Sequence, residues 1–186
     1  MMVTLLRLAI VACTLPATAR VATGADLATA PSLPPGKPLI DGSPRHFQLM
    51  GSAVAMAEAK VVDVRGPGGF TRAWRVDVRD RAKEPWAIQL AATVAGDAPK
   101  RGDVVLLSVW ARTLRATDET NAGTIGLVLE QSDEPFAKTL SAQFSVGKDW
   151  QRFDVPAKVE QDYAKSRPRV AVRLGFAPQT IEVGGV

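Results

Sequence analysis

The sequence predicts an all-β fold, a two-sheet antiparallel β-sandwich closed as a jelly roll. Three observations carry this. Apolar residues recur with a period of two almost everywhere after Val61, the apolar runs are short, and turn signals cut them at regular intervals. With 186 residues, 46% of them hydrophobic and 23% charged, the chain suits one ordinary globular domain rather than a disordered or membrane-spanning one.

The first elements are not part of the sandwich. Residues 1–24 read as a signal peptide: Arg7, then an apolar stretch from Leu8 to Leu15 too short to span a bilayer, then Ala17-Thr18-Ala19 as a cleavage site before Arg20, with cuts before Ala25 or Asp26 as later alternatives. A secreted or periplasmic protein is expected, with no membrane association once the peptide is removed. Ile10-Val11-Ala12-Cys13 resembles a bacterial lipoprotein box, but Arg7 interrupts the apolar run that so early a cysteine needs, so lipidation at Cys13 is the lesser reading. Cys13 is the one cysteine of the chain, and its removal would leave no disulfide, thiolate metal site or cysteine nucleophile. Residues 25–38 form a Pro-rich leader, because Pro31, Pro34, Pro35 and Pro38 forbid helix and withhold donors from a sheet. The β-sandwich domain is expected over residues 39–186.

Within the domain each strand follows from alternation. Trp74, Val76 and Val78 define the first clear strand, and Trp86, Ile88, Leu90, Ala92 and Val94 the next. Others follow at Val105, Leu107 and Val109; at Ile125, Leu127 and Leu129; at Leu140, Ala142, Phe144 and Val146; and at Val170, Val172, Leu174 and Phe176. Turns are supplied by Gly66-Pro67-Gly68-Gly69, Gly96-Asp97, Arg101-Gly102-Asp103 and Gly147-Lys148-Asp149. Helical spacing is weak: Val159 to Lys165 could form one turn, and Ser52 to Lys60 is ambiguous.

Several function classes are disfavoured. The net charge of +4 invites an anionic partner, but the cations are interleaved with Asp and Glu and form no basic block, so nucleic acid is not expected. His46 stands alone, which excludes a histidine triad or multi-histidine metal site. Asp118 with Glu119 and Asp133 with Glu134 are adjacent loop acids, not two carboxyls facing each other across a cleft, so this chain is not expected to be an enzyme. The Gly66 run lacks the lysine of a phosphate-cradling loop.

The ordered series Trp74-Arg75-Val76, Trp86-Ala87-Ile88-Gln89-Leu90, Lys100-Arg101-Gly102-Asp103, Ser108-Val109-Trp110-Ala111-Arg112, Asp149-Trp150-Gln151-Arg152-Phe153, Arg173-Leu174-Gly175 and Ile181-Glu182-Val183-Gly184-Gly185-Val186 resembles carbohydrate-binding modules of families 4, 9 and 22. The likeness runs from about Gly51 to the C-terminus and implies a galactose-binding-domain-like jelly roll. Pro178-Gln179-Thr180-Ile181-Glu182-Val183-Gly184-Gly185 further resembles the module that precedes the catalytic domain of some bacterial family 10 glycoside hydrolases, xylanases. A polysaccharide is therefore the implied partner, together with a glycoside hydrolase catalytic domain if one follows. Modules of this kind often hold structural calcium, but Gly184-Gly185 stand where many relatives have an acidic pair; no cofactor is assigned, Glu58 and Glu182 being the carboxylates that could contribute.

Sugar binding needs an aromatic platform for the C–H face of a pyranose and polar groups for its hydroxyls. The face opposite the core carries Gln89, Thr93, Thr124, Glu130, Ser141, Gln143, Arg169 and Arg173, a composition that also suits any solvated sheet. Family 22 modules place a stacking tryptophan shortly after a strand-end arginine, as Trp86 follows Arg79 or Arg81. Trp110 falls out of phase with Val105, Leu107 and Val109 and either lines the groove or caps the core. Trp74, in phase with its strand, and Trp150, by similarity to the family, are read as packing residues. The expected site is thus Trp86 with Arg79, Gln89, Trp110, Glu130 and Arg173, in a secreted, non-catalytic module binding a xylan-like plant β-glycan. The alternative is a structural accessory domain of a xylanase-like enzyme with no sugar binding of its own.

Overall fold

The computed structural model describes residues 20–22, 36–163 and 166–186. Most of the expected signal peptide and leader, residues 1–19 and 23–35, lies outside the described residues. Eleven strands are described: β1 (Arg20–Ala22), β2 (Gln48–Met50), β3 (Ala57–Asp63), β4 (Arg72–Val78), β5 (Gln89–Thr93), β6 (Val104–Ala116), β7 (Gly123–Gln131), β8 (Lys138–Val146), β9 (Gln151–Lys158), β10 (Pro168–Arg173) and β11 (Gln179–Gly184). They form two facing antiparallel sheets, a larger one in the order β1-β9-β6-β11-β4-β3 and a smaller one in the order β2-β5-β10-β7-β8. This is the expected β-sandwich. β1 falls inside the segment read as signal peptide and pairs with β9; a cut before Arg20 keeps it and a later cut removes it.

Alternation builds the core. Leu90 and Ala92 of β5, Val170 and Val172 of β10, Ile125, Leu127 and Leu129 of β7, and Phe144 and Val146 of β8 point inward from the smaller sheet. Val76 and Val78, Val109, Phe153, Ile181 and Val183 meet them from the larger one. Phe144 and Phe153 touch across the layers with ring centroids 4.8 Å apart. Polar groups at the same level are fully bonded. The buried Gln179 amide donates to the carbonyls of Thr124 and Leu174 and accepts from the Thr124 N–H, tying β11 to β7. The Thr113 hydroxyl donates to the Val146 carbonyl and accepts from Gly123 N–H.

The structure departs from the sequence reading where local chemistry overrides phase. The run expected as strand from Trp86 begins only at Gln89, because Pro85 opens a 3-10 turn, Pro85–Ala87. Ser52 to Lys60 resolves into a 3-10 turn at Val54–Met56 followed by β3. Val159 to Tyr163 forms no helix; Ala164 and Lys165 lie outside the described residues. Trp74 packs at the margin of the core and donates its indole N–H to the Pro44 carbonyl at 2.9 Å. Trp150 packs too, but outside the sandwich: it meets Phe70 edge-on at 5.1 Å, and the Arg112 guanidinium lies 4.8 Å from its ring centre.

Phe153 has no exposed surface and sits at the contact between the sheets. Phe153→Ala is expected to lower the unfolding free energy by about 3–5 kcal/mol through lost burial and a residual cavity. Val104→Ser, at a position 76% exposed, is expected to change it by less than about 0.5 kcal/mol; urea unfolding of the two variants checks the contrast.

Candidate functional site

The outer face of the smaller sheet carries an open trough of about 250 Å³ lined by Trp86, Phe176, Arg173, Val128, Ser141 and Gln143 among others. Strand register explains its shape. Gln89, Arg173, Gly126 and Gln143 stand side by side in one row across β5, β10, β7 and β8, and Ala91, Ala171, Val128 and Ser141 form the next. Small residues make the floor. Gly126 lets the neighbours come close: a Cβ there would lie 3.3 Å from both the Arg173 Cβ and the tip of the Phe176 ring, which would have to shift by a few tenths of an ångström.

Trp86 forms one wall. The 3-10 turn that follows Glu84 lifts its ring off the strand, and the Ala87 N–H to Glu84 carbonyl, Gly175 N–H to Pro85 carbonyl and Leu174 N–H to Ile88 carbonyl bonds hold the turn in place. The ring stays 49% exposed, with the Arg173 guanidinium 5.5 Å from its centre. An indole held open against a cation has one face committed to the protein and the other available for stacking.

The third row is charged. Glu130 is 1% exposed and accepts from Arg169 Nε at 3.1 Å, Arg169 Nη2 at 2.8 Å and Arg173 Nη2 at 2.8 Å, with Lys138 Nζ at 4.0 Å. A carboxylate so placed is costly unless paired and hydrogen-bonded, and both of its oxygens are engaged. Glu130 therefore braces the two arginines rather than offering a free oxygen to a sugar hydroxyl. Arg169 in turn lies 5.6 Å from the ring centre of Phe136, which is 38% exposed. Two polar atoms are buried without a protein partner beside the trough: Oε1 of Gln89, a residue 4% exposed, and Nε of Arg173, which is its register partner on β10.

The expected site residues thus divide. Trp86, Gln89, Glu130 and Arg173 come together on the smaller sheet. Trp110 and Arg79 do not join them. Trp110 points outward from the larger sheet, 8% exposed and packed against Phe70 with ring centroids 6.4 Å apart, so its indole is covered by the protein itself. Arg79 follows the last residue of β4 and donates to the Ala55 carbonyl at 3.3 Å. Phe136 and Phe176 were not singled out by the sequence. Phe176 continues the apolar phase of β10 and so reads as core, but the strand ends at Arg173 and the turn after it turns the ring toward the trough. Phe136 lies in a loop, where periodicity carries no information.

Glu182 is likewise engaged by arginines. Arg75 Nε and Nη2 reach its Oε1 at 2.9 and 2.6 Å, and Arg112 Nε and Nη2 reach its Oε2, both at 2.7 Å. Gly184 and Gly185 stand beside an aromatic cluster. A Cβ on Gly185, whose φ is +53°, would lie 2.8 Å from the Trp110 ring, so the space that an acidic side chain would need is filled by carbon. A second depression, of about 460 Å³ at Arg101, Lys158 and Glu160, is shallower and has no aromatic wall.

No family model matches the chain, and no curated protein matches it. Solved structures do. A CBM4 structure superposes with a TM-score of 0.54 at 18% identity, covering 74% of this chain and 82% of that one. The CBM22-1 xylan-binding domain of Xyn10C from Paenibacillus barcinonensis gives 0.53 at 12% identity over 77% and 85%. A putative sugar binding protein from Bacteroides thetaiotaomicron gives 0.55 at 10% identity over 74% and 84%. The chain shares the β-sandwich fold of these carbohydrate-binding modules.

Glu130→Gln is expected to lower stability by about 3 kcal/mol, because it leaves two largely buried guanidiniums without their counter-charge. Urea unfolding measures the loss. A midpoint unchanged from the parent would show that the arginines need no brace.

Proposed function

We propose that the chain is a secreted or periplasmic, non-catalytic module that binds a plant β-glycan of the xylan type, with Trp86 as the stacking platform. The observation that carries this reading is the half-exposed Trp86 ring, backed by Arg173 at the side of an open trough whose polar margins include Ser141 and Gln143. A pyranose laid on the free indole face would bury its C–H surface there, while Gln89, Arg173, Ser141 and Gln143 stand in position for its hydroxyls. The shared fold with a xylan-binding domain supports the ligand class.

The same geometry argues against hydrolysis. Glycoside hydrolysis needs two carboxyl groups flanking the bond, roughly 5–9.5 Å apart, one of them able to hold a proton. The trough is lined by no carboxylate, and nearby Glu130 is held by two arginines. The module would then serve a catalytic domain by holding it on its polymer. No calcium is part of this proposal.

Trp86→Ala is expected to abolish retardation in native gels containing soluble xylan while shifting the melting temperature by less than about 4 °C, as suits a residue lost from the surface. Trp110→Phe, on the opposite sheet, is expected to keep full retardation. Undiminished binding by Trp86→Ala would sink the reading. Failure of the parent protein to bind any β-glycan would favour a purely structural accessory domain.

A further inference from the structure

Resting on the sugar-binding reading, we propose that the trough selects glycans bearing carboxylate groups, that is, a polysaccharide with uronic acid residues, and that Arg173 is the residue that grips the carboxylate.

Charge balance comes first. On the outer face of the smaller sheet three cations, Arg169, Arg173 and Lys138, surround the single carboxylate of Glu130, which leaves two positive charges uncompensated. The arginine side chains are only 18% and 13% exposed, so water screens them poorly. On the outer face of the larger sheet Asp77 takes Arg115 at 2.8 Å, Asp154 takes Arg152 at 3.0 Å and Glu182 takes Arg75 and Arg112, four arginines against three acids. Among these paired groups the surplus of positive charge is larger on the face that has the trough.

Hydrogen-bond accounting points the same way. Arg173 gives Glu130 one bond, from Nη2, and its buried Nε has no protein acceptor. Directly across the β5–β10 ladder, the buried Oε1 of Gln89 has no protein donor. A buried donor and a buried acceptor left unmet are each destabilising. Arg173 lines the trough, and a uronic acid carboxylate there would accept from its guanidinium in a charge-assisted bond about twice as strong as the one a neutral sugar hydroxyl makes. Glu130 has a defined part in this, as a positioning residue. By occupying Nη2 it fixes the guanidinium plane beneath Trp86, and it does so without neutralising the face.

The test compares glucuronoxylan with the same polymer after its carboxyl groups have been chemically reduced to neutral hexose, by isothermal titration at low and at high salt. Expected is at least a tenfold loss of affinity on reduction, a salt-dependent affinity for the acidic polymer only, and an Arg173→Gln variant that binds the acidic polymer no better than the parent binds the reduced one. Arg173→Lys, which keeps the charge but loses the fork, is expected to fall between them. Circular dichroism melts confirm that the compared variants are folded. Equal binding of both polymers with equal salt response would overturn the proposal and leave the neutral-glycan reading standing. Absence of binding to either would remove both. Acidic-polymer binding that survives Arg173→Gln and Trp86→Ala, or that polyglutamate reproduces, would overturn it in favour of diffuse charge attraction.

Discussion

A pleated strand sends successive side chains to opposite faces, so β7 has to satisfy two environments at once, and the rest of the molecule is arranged around that demand. Ile125, Leu127 and Leu129 enter the core, while Gly126 and Val128 line the trough and Glu130 stands beside it on the same face. β10 does the same with Val170 and Val172 inward and Arg169, Ala171 and Arg173 outward. A slip of one residue in β10 would turn Arg169 and Arg173 into the core and expose Val170 and Val172, and one in β7 would bury Glu130. The core pattern therefore holds the trough in register, and no separate device is needed to align its rows.

Two buried glutamates, one on each outer face, show how the sandwich tolerates charge where water is scarce. Glu130 and Glu182 each lie between two arginines supplied by neighbouring strands. Such clusters are expensive to assemble and add little net stability compared with apolar packing, but they hold long side chains in one orientation. On the larger sheet the orientation serves a closed surface, with Arg112 against Trp150 and the Phe70 ring between Trp150 and Trp110. On the smaller sheet it leaves Trp86 and Phe136 each beside an arginine and each partly open to solvent. The same electrostatic motif covers one face and equips the other.

Much of the fold was legible because alternation is a local property. The strands through Val76, Leu107, Leu127, Phe144 and Val172 all lie where the period of two placed them. The site was legible in part. Gln89, Glu130 and Arg173 were identified as outward-facing from phase alone, and that part holds. Their roles were not readable, because whether Glu130 meets a hydroxyl or an arginine depends on β10 lying beside β7, a pairing between residues some forty apart in sequence. Phase likewise placed Trp110 off the core but could not say which sheet β6 joins, and the answer moved it away from the trough.

Composition and period by themselves determined the all-β class, the inward and outward sets of each strand and that residues 39–186 hold one histidine and no cysteine, since these follow from residue identity and backbone geometry. Tertiary structure decided which outward residues share a face, which of four tryptophans is left open and which acid each arginine of the two clusters meets. The physical reason is that burial and charge compensation are properties of neighbours across the sheet, and strand order, which chooses those neighbours, is set by the packing of the whole sandwich.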